Sequence, residues 1–418
     1  MPPLDPHQQR RFAVEVVRRL RAAGFQAYWA GGCVRDRLLG RVPKDYDVAT
    51  NATPAEIRRV FRRRKTVAVG AAFGVITVLG PPGAGQIEVA TFRRDDTYSD
   101  GRHPDRVVFS SPQEDASRRD FTINGLFYDP LEDRVIDSVG GQEDLAARLI
   151  RAIGDPDQRF QEDKLRLLRA VRFATTFDFA VEAHTLEAVR RKAAEITVVS
   201  PERIAGEMQR MLVDRHRSRG VRLLLDTGLA AAVLPEIVPA GQEHESRLEQ
   251  SLAVLDRLAE PSFPLALTAL LVAWVDDSGA VAVCRRWRLS NAQTDRVGWL
   301  VEHCAALREA HNVPWSTLQK VIVADGMAEL LALDEARVLA AGGDTSHVAW
   351  CRSLLQQPRE VLDPPPLLTG DDLLRHGVPA GPIYRVILEE VRRAQLDGEI
   401  HSQEEARRLA AALARRVV

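Results

Sequence analysis

Two aspartates one residue apart, Asp45 and Asp47 in PKDYDVAT, are the first residues whose types and spacing could do chemistry. In a strand, alternate side chains share a face, so both carboxylates project together while Tyr46 and Val48 turn the other way. Like charges so placed repel each other. A divalent cation between them turns the repulsion into binding, and hard Mg²⁺ takes carboxylate oxygens completed by water and phosphate oxygens. Glu88, within the apolar run IEVATF, offers a third acid from a neighbouring strand. Upstream, Gly31 and Gly32 open GGCVRDRLLG, where bare backbone N–H groups can meet an anion at a helix start, and Arg35 lies one turn in. Acid pairs at exposed strand ends and Gly pairs in tight turns are each common without a ligand. Their convergence here points to phosphate chemistry.

Three further stretches carry charge in a pattern. RRDFTING supplies Arg118, Arg119, Asp120 and Asn124, guanidinium forks and an amide that suit phosphates and ribose hydroxyls. EDKLRLLRAVRFA sets Glu162, Asp163 and Arg166 at i, i+1 and i+4 of a predicted helix, with Asp163 and Arg166 as surface neighbours; a weak salt bridge is the ordinary account of such a pair. EIRRVFRRRKT packs Arg58, Arg59, Arg62, Arg63, Arg64 and Lys65 into little more than two turns, a density that fits a phosphate backbone or a solvated helix end.

The elements that must position these residues follow from periodicity and breakers. A helix is expected over 8–23, ending at Gly24, then strands at QAYWA and KDYDVAT on either side of the Gly-opened helix. Thr53, Pro54 and Glu56 form a helix start with capping-box chemistry, and GVITVLG and QIEVATF are strands joined by PPGAG. From about Pro156 onward long amphipathic helices take over, one of them running unbroken through DQRFQEDKLRLLRAVRFATTF, and DPPPLLTG is a Pro-rich break. Composition sets the class: 418 residues, 45% hydrophobic, 28% charged, 57 basic against 58 acidic side chains. That balance gives no global argument for nucleic acid, and no apolar run reaches the ~18 residues of a membrane span. Four scattered cysteines without CxxC spacing, and no signal-peptide pattern, lead us to expect a reducing, cytoplasmic setting.

The stretch GGCVRDRLLGRVPKDYDVAT strongly resembles the signature of the polymerase beta nucleotidyltransferase superfamily, and within it the bacterial class II group of CCA-adding tRNA nucleotidyltransferases and poly(A) polymerases. The resemblance implies an α+β fold: a small mixed-sheet nucleotidyltransferase head (1–140), followed by an elongated all-helical neck (141–225), body (226–362) and tail (363–418). It implies that Asp45, Asp47 and Glu88 are the catalytic acids, that Asp45 and Asp47 bind two Mg²⁺ ions, and that Arg118, Arg119, Asp120 and Asn124 contact the nucleotide's sugar. In the family, the EDxxR motif is a protein template: Asp163 and Arg166 read the base edge of CTP or ATP while Glu162 orients the arginine. PERIAGEMQRML, with Glu202, Arg203 and Glu207, resembles the element that supports this template. Asp100 and Arg102 fall in a stretch resembling the family's flexible loop, where His103 replaces a second arginine.

The implied activity is template-independent addition of CCA to tRNA 3′ ends from CTP and ATP, releasing pyrophosphate, with the tRNA acceptor and T arms held by the helical tail. Alternatives are A-only or CC-only addition, poly(A) polymerase activity, or an RNA-binding protein without catalysis. Lys164, where the polymerases usually carry proline, favours tRNA. Beyond Leu212 the match thins; Val272 and Ala273 stand where many relatives carry a metal-binding His-Asp pair, so this region is degenerate and Asp276 and Asp277 suit a helix-terminal turn. Trp274, Trp287, Trp299, Trp315 and Trp350 are read as core.

Overall fold

The computed structural model describes residues 4–68, 74–95, 107–375 and 381–417. The chain forms two compact units, Met1–Pro235 and Glu236–Val418.

The first unit opens with α1 (Pro6–Ala22), whose end is set by Gly24 at φ +88° and a Phe25 N–H to Leu20 C=O bond. There follow β1 (Ala27–Ala30), α2 (Gly32–Leu38), β2 (Asp47–Thr50) and α3 (Pro54–Phe61). Thr53 and Glu56 close the expected capping box on α3. Next come β3 (Thr66–Val67), β4 (Val75–Leu79), β5 (Gln86–Thr91), the hairpin β6 (Arg93–Asp95) and β7 (Val107–Phe109), α4 (Pro112–Ser117), β8 (Phe127–Asp129) and β9 (Arg134–Ile136). Seven strands form one mixed sheet in the order β3-β4-β5-β2-β1-β8-β9, in which β2 and β5 run parallel. Helices α1 and α3 pack on the sheet and on each other. Val48, Ile76, Val78, Ile87 and Val89 are buried at alternate positions along β2, β4 and β5.

Helices then dominate: α5 (Gly141–Ala147), α6 (Pro156–Glu162), α7 (Leu165–Phe177), α8 (Ala183–Lys192), α9 (Pro201–Leu212), α10 (Arg217–Asp226) and α11 (Leu229–Val233). A short parallel pair, β10 (Leu149–Ile150) with β11 (Ala180–Val181), lies among them and had no recognisable pattern in the sequence. The long helix expected through DQRFQEDKLRLLRAVRFATTF is broken. Asp163 takes an extended conformation (φ −146°, ψ 105°) between α6 and α7, and its carboxylate accepts from the Leu165 N–H at 3.1 Å. An aspartate that can cap a new helix competes with continuation of the old one.

The second unit is helical throughout its described residues. Asp276 caps the helix Asp277–Arg286, accepting from Gly279 N–H at 2.8 Å, as the degenerate motif suggested. Trp287 is 2% exposed, and Trp299, Trp315 and Trp350 pack against a core of Leu300, Ile322, Leu330 and Val348. A separate small core joins Leu373, Ile387, Val391, Ala406 and Ala410 after the Pro-rich break. All four cysteines are free thiols. Among the described residues no helix is long and apolar enough to cross a membrane.

Candidate active site

The site grows from one cross-strand row. Asp47 opens β2, and Glu88 stands opposite it on the parallel β5, so both carboxylates leave the same face of the sheet. Asp45 precedes the strand rather than belonging to it, which corrects the sequence reading. β1 pairs only as far as Ala30 opposite Asp47 and then turns at Gly31, and the pairing of β2 with β5 likewise begins at Asp47 opposite Glu88. The alternation survives without the strand: Asp45 and Asp47 are exposed, while Tyr46 and Val48 are buried. Loss of hydration at the carboxyl, then the charges of Glu88 and Asp45, push Asp47 up to about 6, against a smaller pull from Arg119.

Gly31 sits at φ +69°, and its N–H bonds Leu126 C=O at 3.0 Å. That backbone conformation favours glycine, and a Cβ there would lie 2.7 Å from Arg119 Nη1, so the arginine's tip would have to move. Gly32 has no such clash, its nearest neighbour being Arg35 Nη2 at 3.5 Å. Arg35 is engaged within the protein: Nη1 donates to Asn124 Oδ1 at 2.6 Å and Nε and Nη2 to Asp36, with its guanidinium 4.5 Å from the Phe177 ring centre.

Arg118 and Arg119 are aimed by one buried carboxylate. Asp115 Oδ1 accepts from Arg118 (2.9 and 2.7 Å), and Oδ2 accepts from Arg119 (3.3 and 3.0 Å). Burial raises the Asp115 pKa, but the two guanidinium groups outweigh it and hold the group below the usual carboxylate range. Asp120 is likewise buried yet held low, because Arg169 donates two bonds to Oδ2 and Asn124 Nδ2 one to Oδ1 at 3.0 Å. The chain of contacts continues from Arg169 to Glu207 at 3.8 Å, and Glu207 also pairs with Arg172 and, at 2.8 Å, with Arg210.

At the α6–α7 break, Asp163 and Arg166 are not paired with each other, contrary to the spacing argument. Arg166 Nη1 donates to Glu162 Oε2 at 2.6 Å, and its Nη2 donates to Arg118 C=O at 3.1 Å. Asp163 is gripped two-handed by Arg203 from α9, at 3.2 and 2.8 Å. Glu202 lies exposed in the first turn of α9. Lys164 is buried, donating to Gln161 and pairing with Glu195.

Gly31, Gly32, Arg35, Asp47, Arg118, Arg119, Asp120, Asn124, Asp163 and Arg166 all border one cleft of about 510 Å³. Asp45, Glu88, Glu162, Glu202, Arg203 and Glu207 do not line it, and Asp100 and Arg102 lie outside the described residues. Asp115, Arg169 and Phe173 escaped the sequence reading. Asp115 was findable, since it precedes Arg118 and Arg119 at i−3 and i−4; Arg169 and Phe173 follow Arg166 along the same face of α7 and border the cleft. Among the described residues no three His, Cys, Asp or Glu side chains converge into a ready metal cage. What stands there is one carboxylate, Asp47, at the cleft wall, raised first by its loss of hydration and then by the charges of Glu88 and Asp45 beside it.

Two family models match: the poly A polymerase head domain over residues 27–151, and the probable RNA and SrmB-binding site of polymerase A over 178–240. The chain is 33% identical to the CCA-adding enzyme of Levilactobacillus brevis over 403 residues, covering 96% of each, and 34% identical to that of Geobacillus kaustophilus over 401, covering 94% of each. The crystal structure of the Bacillus stearothermophilus CCA-adding enzyme in complex with CTP superposes with a TM-score of 0.78 at 29% identity, covering 100% of this chain and 98% of that one. The Thermotoga maritima enzyme complexed with tRNA shares the fold at TM-score 0.65 and 22% identity, covering 96% and 95%. With its α+β head, its helical remainder and this full-length identity, the chain belongs to the CCA-adding enzyme family of nucleotidyltransferases.

Proposed function

We infer that the protein adds C, C and A to the 3′ end of tRNA: the terminal 3′ hydroxyl attacks the α-phosphate of CTP or ATP, and pyrophosphate leaves. One observation carries this reading. Asp47, Asp163 and Arg166 border the same cleft, so reacting phosphate and base edge can be held at once.

Asp45 and Asp47, with Glu88 beside them, are the residues we assign to hold two Mg²⁺ ions. Their oxygens are the right hardness, and the crowding that lifts Asp47 is relieved by cationic charge. When bound, such ions supply neutralisation of the attacking and leaving oxygens. The protein's own groups do the rest. Arg118 and Arg119, fixed in direction by Asp115, meet the triphosphate and ribose, where planar forks match oxygen pairs. Asp120 and Asn124 are joined to each other and to Arg35 and Arg169, so they stiffen that wall.

Base choice follows from donors and acceptors. Cytosine and adenine each present an amino donor beside a ring-nitrogen acceptor, whereas uracil and guanine present the reverse. Asp163 accepts from the amino group, and Arg166 donates to the ring nitrogen. Arg203 and Glu162 leave each reader its remaining lone pairs or hydrogens while fixing its orientation. The four free thiols fit a reducing cytoplasm.

The test uses tRNA transcripts ending before CCA, after C and after CC, incubated with CTP, ATP and Mg²⁺ and sized on a gel. CCA on the first substrate supports the inference. Extension of the third alone indicates an A-adding specialist, long A tails a poly(A) polymerase, and no extension by folded protein a binding role.

A further inference from the structure

The basic run after α3 is used by nothing described so far. Helix-end chemistry accounts for its first members: Arg58 and Arg59 lie in the last turn of α3, where cations oppose the helix dipole, and the end is closed by Arg19, which donates to Val60 C=O at 2.6 Å and lies over the Phe61 ring. It does not account for the rest. Arg62 turns the chain at φ 65°, ψ 140°, a region that non-glycine residues rarely occupy, and delivers Arg63–Lys65 as a single 3-10 turn. The side chains of Arg62, Arg63, Arg64 and Lys65 are all exposed, and among the described residues none forms an ion pair. Exposure alone is not the reason: Arg385 and Arg408, with side chains 84% and 75% exposed, still pair with Glu389 and Glu404.

The register places this run relative to the acids. β3 follows directly, and its Val67 pairs with Thr77, Thr77 with Glu88, and Glu88 with Asp47. These four positions form one row on one face, and none of them is buried. Three inter-strand steps separate Val67 from Asp47, about 14 Å at ~4.8 Å per step.

We propose that Arg62–Lys65 and the open row leading to them form a binding surface for the phosphate backbone of RNA, contacting the strand within a few nucleotides of the end that reaches Asp47. An acidic row by itself repels a polyanion; four unpaired cations at its far edge, on a chain of net charge −1, supply the attraction where the strand must lie. The identity of the polyanion as RNA rests on the function inferred above. The existence of the surface does not.

The experiment compares the full-length protein with Arg63→Gln/Arg64→Gln/Lys65→Gln and with the charge-reversed Arg63→Glu/Arg64→Glu/Lys65→Glu; Arg62 is left in place because of its backbone conformation. Binding of tRNA lacking CCA is measured across a KCl series, alongside kcat and KM for CTP at saturating tRNA and the melting temperature. The expected result for the Gln variant is a Kd raised about tenfold near 0.1 M salt and a log K against log salt slope shallower by about 2, at ~0.7–0.9 per lost phosphate contact. The Glu variant should be weaker still, and kcat, KM for CTP and melting temperature unchanged in both. A Kd and a slope that stay within twofold of wild type in the Glu variant overturn the proposal and make the run a solvated surface. If the wild-type protein binds tRNA but extends nothing, the inferred activity fails while the Kd comparison still decides this surface.

Discussion

Asp47 shows what a site costs the residues that build it. Loss of hydration, and then the charges of Glu88 and Asp45, make its ionised form unfavourable, a cost that bound cationic charge would offset. Asp47→Asn should therefore stabilise the metal-free protein by about 1 kcal/mol or less once solvent screening at this exposed residue is counted, and so raise its melting temperature, while abolishing nucleotide addition and leaving tRNA affinity intact. A melt in EDTA and an extension assay read both arms. Asp120 behaves in the opposite sense. Its carboxyl is held below the usual range, so the folded state binds fewer protons than the unfolded one, and the stabilisation is present at neutral pH and lost as pH falls below about 4. Asp120→Asn leaves the Arg169 guanidinium without its partner and should destabilise the protein by about 3 kcal/mol at pH 7. The gap from wild type should narrow on acidification, a trend that denaturant melts at several pH values would display.

At the scale of elements, the α6–α7 break and α9 form one device. Because Asp163 leaves the helical path, its carboxylate is presented at the cleft instead of lying along a helix side, and Arg203 fixes its plane. Arg203→Ala should raise KM for both CTP and ATP about tenfold and increase UTP incorporation, at little change in kcat for the correct nucleotide; steady-state kinetics with each nucleotide tests this. The sequence foretold the parts governed by neighbours in the chain. Thr53, Pro54 and Glu56 set the start of α3, Gly24 ends α1, and PPGAG joins β4 to β5. It did not foretell parts governed by distant partners. Arg169 meets Asp120 across 49 positions and Arg203 meets Asp163 across 40, and no local periodicity encodes such pairs. The same limit explains Asp45, whose exclusion from β2 depends on where β1 stops. The cleft's residue list was legible because several motifs of the resemblance carried it together; the direction in which each guanidinium points was not.

At the scale of the molecule, the unit Met1–Pro235 contains every cleft residue named above. Expressed alone, it should bind CTP within about threefold of the full chain while losing most tRNA affinity, as calorimetry with each ligand would reveal. We assign the choice of base to protein side chains, rather than to a nucleic-acid template, at a site where the chemistry belongs to other residues. Sequencing the 3′ ends of tRNA extended by Asp163→Ala with all four nucleoside triphosphates and Mg²⁺ tests it most directly. Continued, slower extension is expected, with U and G now entering alongside C and A. Extension that keeps the wild-type choice of C, C and A would contradict it.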